Sequence, residues 1–240
     1  DFNLVMKMIK WTKLLPSFIF YESAFNPKLP LLDLDSVRDK LNHKMLNLEK
    51  VSEVRVPLSQ TDDALFVAFR PNDGGPEHIA IVVGDIKATE NPLIRIHSEC
   101  FTGDLFSSLR CDCGSQLKGA IDMMCQQKSG VLIYLAQEGR GIGLLNKLRS
   151  YQLQDQGVDT VDANLKLGFD ADERNYLVAS KILEMLSINS IKLLTNNPDK
   201  IASLQKYGIQ VIERVAHVFP ANPFNQPYMN TKKLKSGHLF

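Results

Sequence analysis

Whatever fold this chain adopts must either gather Cys100, Cys111 and Cys113 at one place or leave three thiols in a segment crowded with chemistry. They stand in the run His97-Ser98-Glu99-Cys100-Phe101-Thr102-Gly103-Asp104-Leu105-Phe106-Ser107-Ser108-Leu109-Arg110-Cys111-Asp112-Cys113-Gly114. Three sulfurs with no fourth ligand beside them suit a zinc ion with one open position, the mark of a catalytic rather than a structural zinc. Ten residues separate Cys100 from Cys111, and one separates Cys111 from Cys113. The C-x-C pair can face a single ion if the backbone turns there, and Gly114 would ease that turn. Three ordinary buried thiols fit the same spacing. The neighbouring Glu99, Asp104, Arg110 and Asp112 favour the metal, because such residues rarely fill cores. Cys125 shares an apolar helical face with Ile121 and Met124 and reads as core.

The rest of the chain frames this segment. Val54–Leu58, Ala64–Phe69, Ile79–Val83 and Leu93–Ile96 are short β-rich runs, and Asn72-Asp73-Gly74-Gly75 punctuates them as a turn. Ser115–Lys128 carries Leu117, Ala120, Ile121 and Met124 at helical spacing. A buried strand is predicted at Val131–Leu135. Gly141-Ile142-Gly143 then opens a helical stretch to about Gln156. The segment Val158–Asp170 follows, then a helix from Ala171 or Asp172 to about Leu186. Further strands are predicted at Ile191–Leu194 and Ile209–Glu213. Between them lies a helix, Asp199–Tyr207, with Pro198 near its start and Gly208 as its C-cap. Ala216–Phe240 reads as loop with a terminal helix. Strand and helix alternate, which gives an α/β core.

Residues 1–50 read as an appendage of short helices and turns, and residues 51–240 as the main domain. In the appendage Phe2, Leu4, Met6, Met8, Ile9 and Trp11 are mixed with lysines, and Pro16, Pro27 and Pro30 follow. Asp35 or Ser36 would cap a helix with Val37, Leu41, Met45 and Leu48 on one face. Lys7, Lys10 and Lys13 interrupt the opening apolar residues, so no signal peptide is expected. No apolar run approaches membrane-spanning length. The sequence opens at Asp1 rather than a methionine, which leaves room for upstream residues. The formal net charge of +1 gives no global drive toward nucleic acid or membrane. A cysteine-dense secreted scaffold does not fit 240 residues with 4 cysteines, so a cytoplasmic setting with reduced thiols is expected.

Two more clusters carry chemistry. Gln137-Glu138-Gly139-Arg140-Gly141-Ile142-Gly143 lies between a strand and a helix, where glycines permit close approach of a phosphate and a helix start favours anions. A tight structural turn fits that position equally. Glu138 could read donors on a guanine edge, and Arg140 suits a phosphate. Asp172-Glu173-Arg174 at a helix start reads as capping before catalysis. Tyr151 alone reads as a half-buried aromatic.

Together these runs resemble GTP cyclohydrolase II, the enzyme that opens the riboflavin pathway. The resemblance covers roughly residues 50–240. It is carried by Arg95 to Cys113, by Gln137 to Gly157 ending in Leu153-Gln154-Asp155-Gln156-Gly157, and by Asp159-Thr160-Val161-Asp162-Ala163-Asn164. Leu167-Gly168-Phe169 with Asp172-Glu173-Arg174, and Leu193-Leu194-Thr195-Asn196-Asn197-Pro198, complete it. The resemblance implies a mixed sheet with flanking helices and a homodimer. It also implies hydrolysis of GTP to a diaminopyrimidinone ribosyl phosphate with loss of formate and pyrophosphate, zinc as catalytic metal, and magnesium on the triphosphate. Cys100, Cys111 and Cys113 match its zinc ligands. Arg95, Ile96, His97, Ser98, Glu99 and Gln116 match nucleotide contacts, as do Glu138, Gly139, Arg140, Thr160, Thr195 and Lys200. Tyr151, Asp172 and Arg174 match its catalytic residues. The family mechanism makes Arg174 the nucleophile at the α-phosphorus with Asp172 as its base. A competing expectation is that Arg174 only stabilises the transferring group, because an arginine pKa exceeds about 12.

The chain departs from the family pattern where Leu135-Ala136 replace a common His-Arg and Gly141 a common Asn. Altered loop contacts with retained chemistry are expected. Residues 1–50 are too short for the dihydroxybutanone phosphate synthase domain that many relatives carry upstream, so a monofunctional chain is expected unless a larger N-terminal part was removed. Two rivals stand beside this reading: a non-catalytic zinc-stabilised nucleotide binder, and a cyclohydrolase that stops early. The intact cysteines, Tyr151, Asp172 and Arg174 weigh against the first, and Tyr151 against the second.

Overall fold

Seven runs rich in β-branched and aromatic residues pair into one sheet. The computed structural model describes residues 2–19, 33–43, 47–72, 74–235 and 237–239. Its strands are β1 (Leu48–Leu58), β2 (Thr61–Pro71), β3 (His78–Gly84), β4 (Leu93–Ser98), β5 (Ser129–Leu135), β6 (Ser190–Leu194) and β7 (Gln210–Val215). Their spatial order is β1-β2-β3-β5-β4-β6-β7. The β1–β2, β2–β3 and β3–β5 pairs are antiparallel, whereas β4–β5, β4–β6 and β6–β7 are parallel. The sheet is therefore mixed. Helices cover it, so the fold is α/β.

Side-chain alternation explains the two core layers. On β5, Val131, Ile133 and Leu135 join one apolar cluster with Val178, Ile182 and Leu183 of helix α7 (Leu177–Met185). Leu132 points the other way, into a cluster with Ala120, Ile121 and Met124 of α4 (Cys113–Gln127). A strand covered on both faces becomes continuously apolar, as β5 is. On β4, Ile94 and Ile96 face the α7 layer. By the same period of two, Arg95 and His97 share the face of Leu93, toward α4. The polar residues of β4 are thereby aimed at the segment that bears the cysteines.

The sequence reading placed several boundaries differently. β1 and β2 each extend beyond Val54–Leu58 and Ala64–Phe69 and form one long hairpin across Ser59-Gln60. The helix expected from Ala171 or Asp172 starts only at Leu177, and 171–175 is irregular. The acidic residues there imitate a helix start, but Asp172 is engaged by the Arg174 side chain instead. The segment left unassigned contains α6 (Thr160–Lys166), capped by Asp159, which accepts from the N–H groups of Val161 and Asp162. In the N-terminal region α1 (Phe2–Trp11) precedes α2 (Leu34–His43). Asp33, not Asp35 or Ser36, caps α2, accepting from both the N–H and the hydroxyl of Ser36. Pro27, Pro30, Met45, Asp73 and the Leu41 side chain lie outside the described residues. A short α3 (Phe101–Asp104), a 3-10 turn (Glu138–Gly141), α5 (Leu144–Asp155), α8 (Pro198–Lys206, with Pro198 in its first turn) and α9 (Gln226–Lys235) complete the chain. Among the described residues no helix is long and apolar enough to cross a membrane.

Candidate active site

The C-terminal ends of β4, β5 and β6 all open on one edge of the sheet, where loops in a parallel α/β sheet collect ligands. β4 runs into Cys100, β5 into the Gln137 loop and β6 into Thr195. Between these loops lies a cleft of two joined chambers.

The first chamber, about 660 Å³ open to solvent, holds the thiols. The Sγ atoms of Cys100, Cys111 and Cys113 lie within 4.8 Å of one another, and Cys100 and Cys111 are 3.7 Å apart. Thiolates bound to tetrahedral zinc at about 2.3 Å stand about 3.8 Å apart, so the donor set fits that ion. Two glycines permit the convergence. A Cβ on Gly103 would lie 2.8 Å from Cys111 Sγ and 3.0 Å from Cys100 Sγ. A Cβ on Gly114 would lie 2.4 Å from the Gly103 carbonyl. Gly114 therefore serves close packing of α3 on α4, not a turn, since α4 already begins at Cys113.

A shell of charge holds the cysteine segment. The Asp104 carboxylate accepts from the Cys100 N–H at 3.0 Å, the Tyr134 hydroxyl at 2.9 Å and His97 Nε2 at 3.1 Å. Burial holds His97 below the ordinary imidazole pKa, so it stays neutral with that proton on Nε2. The Glu138 carboxylate accepts from the Phe101 and Gly139 N–H groups at 2.6 and 2.7 Å and from Lys147 Nζ at 2.8 Å. Lys147 Nζ also donates to Cys100 Sγ at 3.1 Å. Hydrogen bonds from Cys111 and Cys113, with Lys147 nearby, drive the Cys100 thiol far below its ordinary pKa. The charge gathered on Cys100 in turn raises Cys111 to about 11, and Cys113 well above its usual value. Three like charges so close need a cation to coexist.

Tyr151 closes this chamber from α5. Its hydroxyl lies 3.5 Å from Thr102 Oγ1, and Arg110 stacks 4.9 Å above its ring. Burial raises its pKa, so the hydroxyl is protonated near neutrality.

The second chamber, about 620 Å³ open to solvent, is cationic. Arg95, Arg140, Arg174, Lys200 and Lys232 line it, and among the described residues no carboxylate does. Arg95 donates to the Leu194 carbonyl at 3.0 Å and to Gln116 Oε1 at 2.5 Å. Gln116 donates to Asp112 Oδ2 at 2.6 Å, and Lys232 of α9 reaches Asp112 Oδ1 at 2.6 Å. Lys200 Nζ donates to the Ile96 carbonyl at 2.9 Å. Burial lowers the pKa of Arg95 to about 10, and burial with repulsion from Arg95 and Arg174 pushes Lys200 well below its ordinary value. Arg95 Nε, His97 Nδ1 and Ser98 Oγ are buried without a hydrogen-bond partner. Buried polar atoms are normally paired. Arg95 Nε and the Ser98 hydroxyl can donate to an anion at the end of β4, whereas the bare Nδ1 of His97 can only accept.

Cys113, Ser98, Arg140, Arg174 and Tyr228 border both chambers. Arg174 donates through Nε to Asp172 at 2.8 Å and also through Nη2. Burial opposes the charge on Arg174, yet Tyr176 and Asp172 hold its pKa above the ordinary arginine value. Burial alone would raise the Asp172 carboxyl, but the Arg174 guanidinium outweighs it and holds it low. Gly139 and Arg140 both have positive φ, at 64° and 61°. For arginine this is a strained conformation, which occurs mostly where surroundings impose it. Leu135 is fully buried, and the Ala136 N–H donates to His78 Nδ1 at 3.1 Å.

Of the zinc-ligand, catalytic and nucleotide-contact residues that the resemblance implies, all but two line this cleft. Ile96 contributes only its carbonyl, and Asp172 stands behind Arg174. Thr160 borders the thiol chamber, while Gln116, Thr195 and Lys200 border the cationic one. Cys125 packs on the α4 apolar cluster, apart from the other thiols. Sequence reasoning missed Lys147, Tyr228 and Lys232. A lysine on a helix reads as surface, and only tertiary contacts reveal that Lys147 and Lys232 are 7% exposed.

A family model for GTP cyclohydrolase II matches residues 49–216. GTP cyclohydrolase-2 of Azospirillum brasilense is 54% identical over 91% of this chain, which spans 57% of that protein. GTP cyclohydrolase-2 of Hamiltonella defensa is 52% identical over 81% of this chain, which spans 99% of it. Riboflavin biosynthesis protein RibBA of Bacillus cereus is 47% identical over 93% of this chain, which spans 56% of it.

Proposed function

This chain belongs to the GTP cyclohydrolase II family of enzymes, and we propose from that membership that it hydrolyses GTP, releasing formate and pyrophosphate, as the first step of riboflavin biosynthesis. One observation carries the reading: a three-thiol set and a cationic chamber open into each other. A purine triphosphate has one reacting centre at the base and another at the α-phosphorus. The two chambers offer one environment for each.

In this reading residues 51–240 form the catalytic unit. Cys100, Cys111 and Cys113 hold a zinc ion, which when bound supplies Lewis acidity and a hydrolytic nucleophile near neutral pH. Tyr151 donates a hydrogen bond where charge develops on the opening ring. Glu138, Gly139 and Arg140 form the wall along the base and phosphates. Arg95, His97, Ser98 and Gln116 with Thr195 and Lys200 receive the triphosphate, the Ile96 backbone holding Lys200 in place, while Glu99 and Thr160 border the nucleoside. Among the described residues no carboxylate lines the phosphate chamber, which suits magnesium carried by the triphosphate itself. Arg174 keeps its charge, which favours its action as a stabiliser of the transferring phosphoryl group, oriented by Asp172. Exposed Leu105, Phe106 and Leu109 beside the cysteine segment support a homodimer, and the reduced thiols suit the cytoplasm.

The test is incubation of zinc-loaded protein with GTP and magnesium, following formate, pyrophosphate and diaminopyrimidine absorbance together. Equal amounts of the three products are expected. Binding of GTP with no product would replace the enzyme with a degenerate nucleotide binder.

A further inference from the structure

The loops that carry Arg140 and Arg174 into the cleft are gripped from behind by one segment, Lys10–Pro16. It lies outside the residues 49–216 that the family model matches. Lys10 Nζ stands 2.8 Å from Glu173 Oε1 and 3.2 Å from Asp170 Oδ1. Glu173 immediately precedes Arg174, and its N–H donates to the Arg140 carbonyl at 2.9 Å. Lys13 Nζ donates to the carbonyl of Gly141, the residue after Arg140. Two ammonium groups on one short segment thus engage the neighbours of both arginines.

The segment is itself anchored. Asn146, fully buried on α5, donates to the Lys13 carbonyl at 2.7 Å and to the Ile142 carbonyl at 2.9 Å. Glycines make room for it. A Cβ on Gly143 would lie 3.0 Å from Lys13 Cβ, and one on Gly168 would lie 3.3 Å from Pro16 Cβ. A Cβ on Gly141 would meet the Glu173 backbone at 2.8 Å, so the two arginine loops touch without an intervening side chain. The positive φ of Lys13, 60°, ends α1 as a helix C-cap does: the Lys13 N–H donates to the Lys10 carbonyl at 3.1 Å and the Leu14 N–H to the Ile9 carbonyl at 3.3 Å.

We propose that Lys10–Pro16 is a strap in which Lys10 and Lys13 are positioning residues that set the spacing of the Arg140 and Arg174 loops. The strap therefore governs pyrophosphate release more than ring opening, a selectivity that rests on the function proposed above. The thiol set is held by other groups, Asp104 and Lys147. Partly exposed ion pairs add little to folding stability, so the fold survives without the two ammonium groups while the loop geometry does not.

The experiment compares the full chain with a Lys10→Met/Lys13→Met variant and a Lys10→Arg/Lys13→Arg control. Zinc content, kcat and KM for each product, and amide hydrogen exchange at residues 138–143 and 170–175 are read together. In the methionine pair, zinc content stays unchanged and exchange protection drops in both loops. Its kcat for pyrophosphate release falls about 10- to 100-fold, the range expected for misplacing a group by about 1 Å. Formate release falls less, and the arginine pair restores most of the loss. Unchanged protection with unchanged kinetics would overturn the strap, and an equal loss of formate and pyrophosphate would overturn its selectivity. Should the native chain turn over no GTP, the proposed function fails and exchange alone decides the strap: lost protection sustains it, unchanged protection sinks it. If the double variant does not fold, Lys10→Met carries the same readouts.

Discussion

The two halves of the sheet differ in what they hold. β1, β2 and β3 form an antiparallel half, and no residue on them lines either chamber of the cleft. β5, β4, β6 and β7 run parallel, and the segments leaving β4, β5 and β6 build the site. Strand direction explains the contrast. Antiparallel neighbours end on opposite edges, which scatters their loops, whereas parallel neighbours end on one edge and stack theirs. The lesson is that each core layer spans both halves, while the chemistry depends on a single edge.

If that division is real, changes at the parallel edge should remove chemistry without removing the fold. Cys111→Ser is the strongest such change. It should abolish formate release and metal retention while far-UV circular dichroism stays native. A variant that keeps both would break the thiol assignment. Arg174→Gln comes next. Pyrophosphate release should fall about 10²- to 10³-fold, the scale of losing one preorganised charge stabiliser, with zinc content unaltered. Retained release would reduce Arg174 to a structural partner of Asp172.

The antiparallel half should behave in the opposite way. Phe69 of β2 is fully buried, so Phe69→Ala should cost about 3–5 kcal/mol of stability in denaturant titration. The kcat of the protein that remains folded should not change. A large drop in kcat would mean that the scaffold transmits its packing to the site.

A titration sharpens the same contrast more gently. Burial, then repulsion from Arg95, lowers the pKa of His217 from 6.5 to about 4. Between those values the unfolded chain binds a proton that the folded chain refuses. The stability is therefore present above pH 6.5 and lost as pH falls toward 4, by at most about 1.4 kcal/mol per pH unit. His217→Gln should flatten the dependence of Tm on pH in that window, and an unchanged slope would assign it to other groups. At the small end, Val54→Thr on the exposed face of β1 should move stability by no more than about 0.5 kcal/mol and leave turnover alone.

These regions were not equally legible in the sequence. β5 could be read because burial on both faces makes a strand continuously apolar. The cysteine cluster was legible because its donors sit close in sequence. Asp172 and Arg174 were found, but on a helix that is not there, because an acidic residue beside an arginine writes the same letters whether it caps a backbone or grips a side chain. α6 escaped because seven residues are too few for a helical period to show. Lys147, Lys200 and Lys232 are ordinary letters on helices. Their burial belongs to the fold, where Lys147 meets the Cys100 sulfur, Lys200 the Ile96 carbonyl and Lys232 the Asp112 carboxylate, each from a distant segment. Sequence patterns report periodicity and proximity, and a charge network spanning 120 residues, such as Lys232 with Asp112, has neither.

Gly103 leaves a mark of a different kind. Its Cα hydrogen occupies the space around which the three sulfurs close, and every other amino acid of the genetic code begins its side chain with a carbon at that spot. The position is therefore shut to stepwise mutation: each neighbouring codon that changes the residue brings a carbon within 3.0 Å of two sulfurs. Drift in this protein can explore the exposed positions of β1 freely, but at residue 103 it meets a wall set by the width of one methyl group.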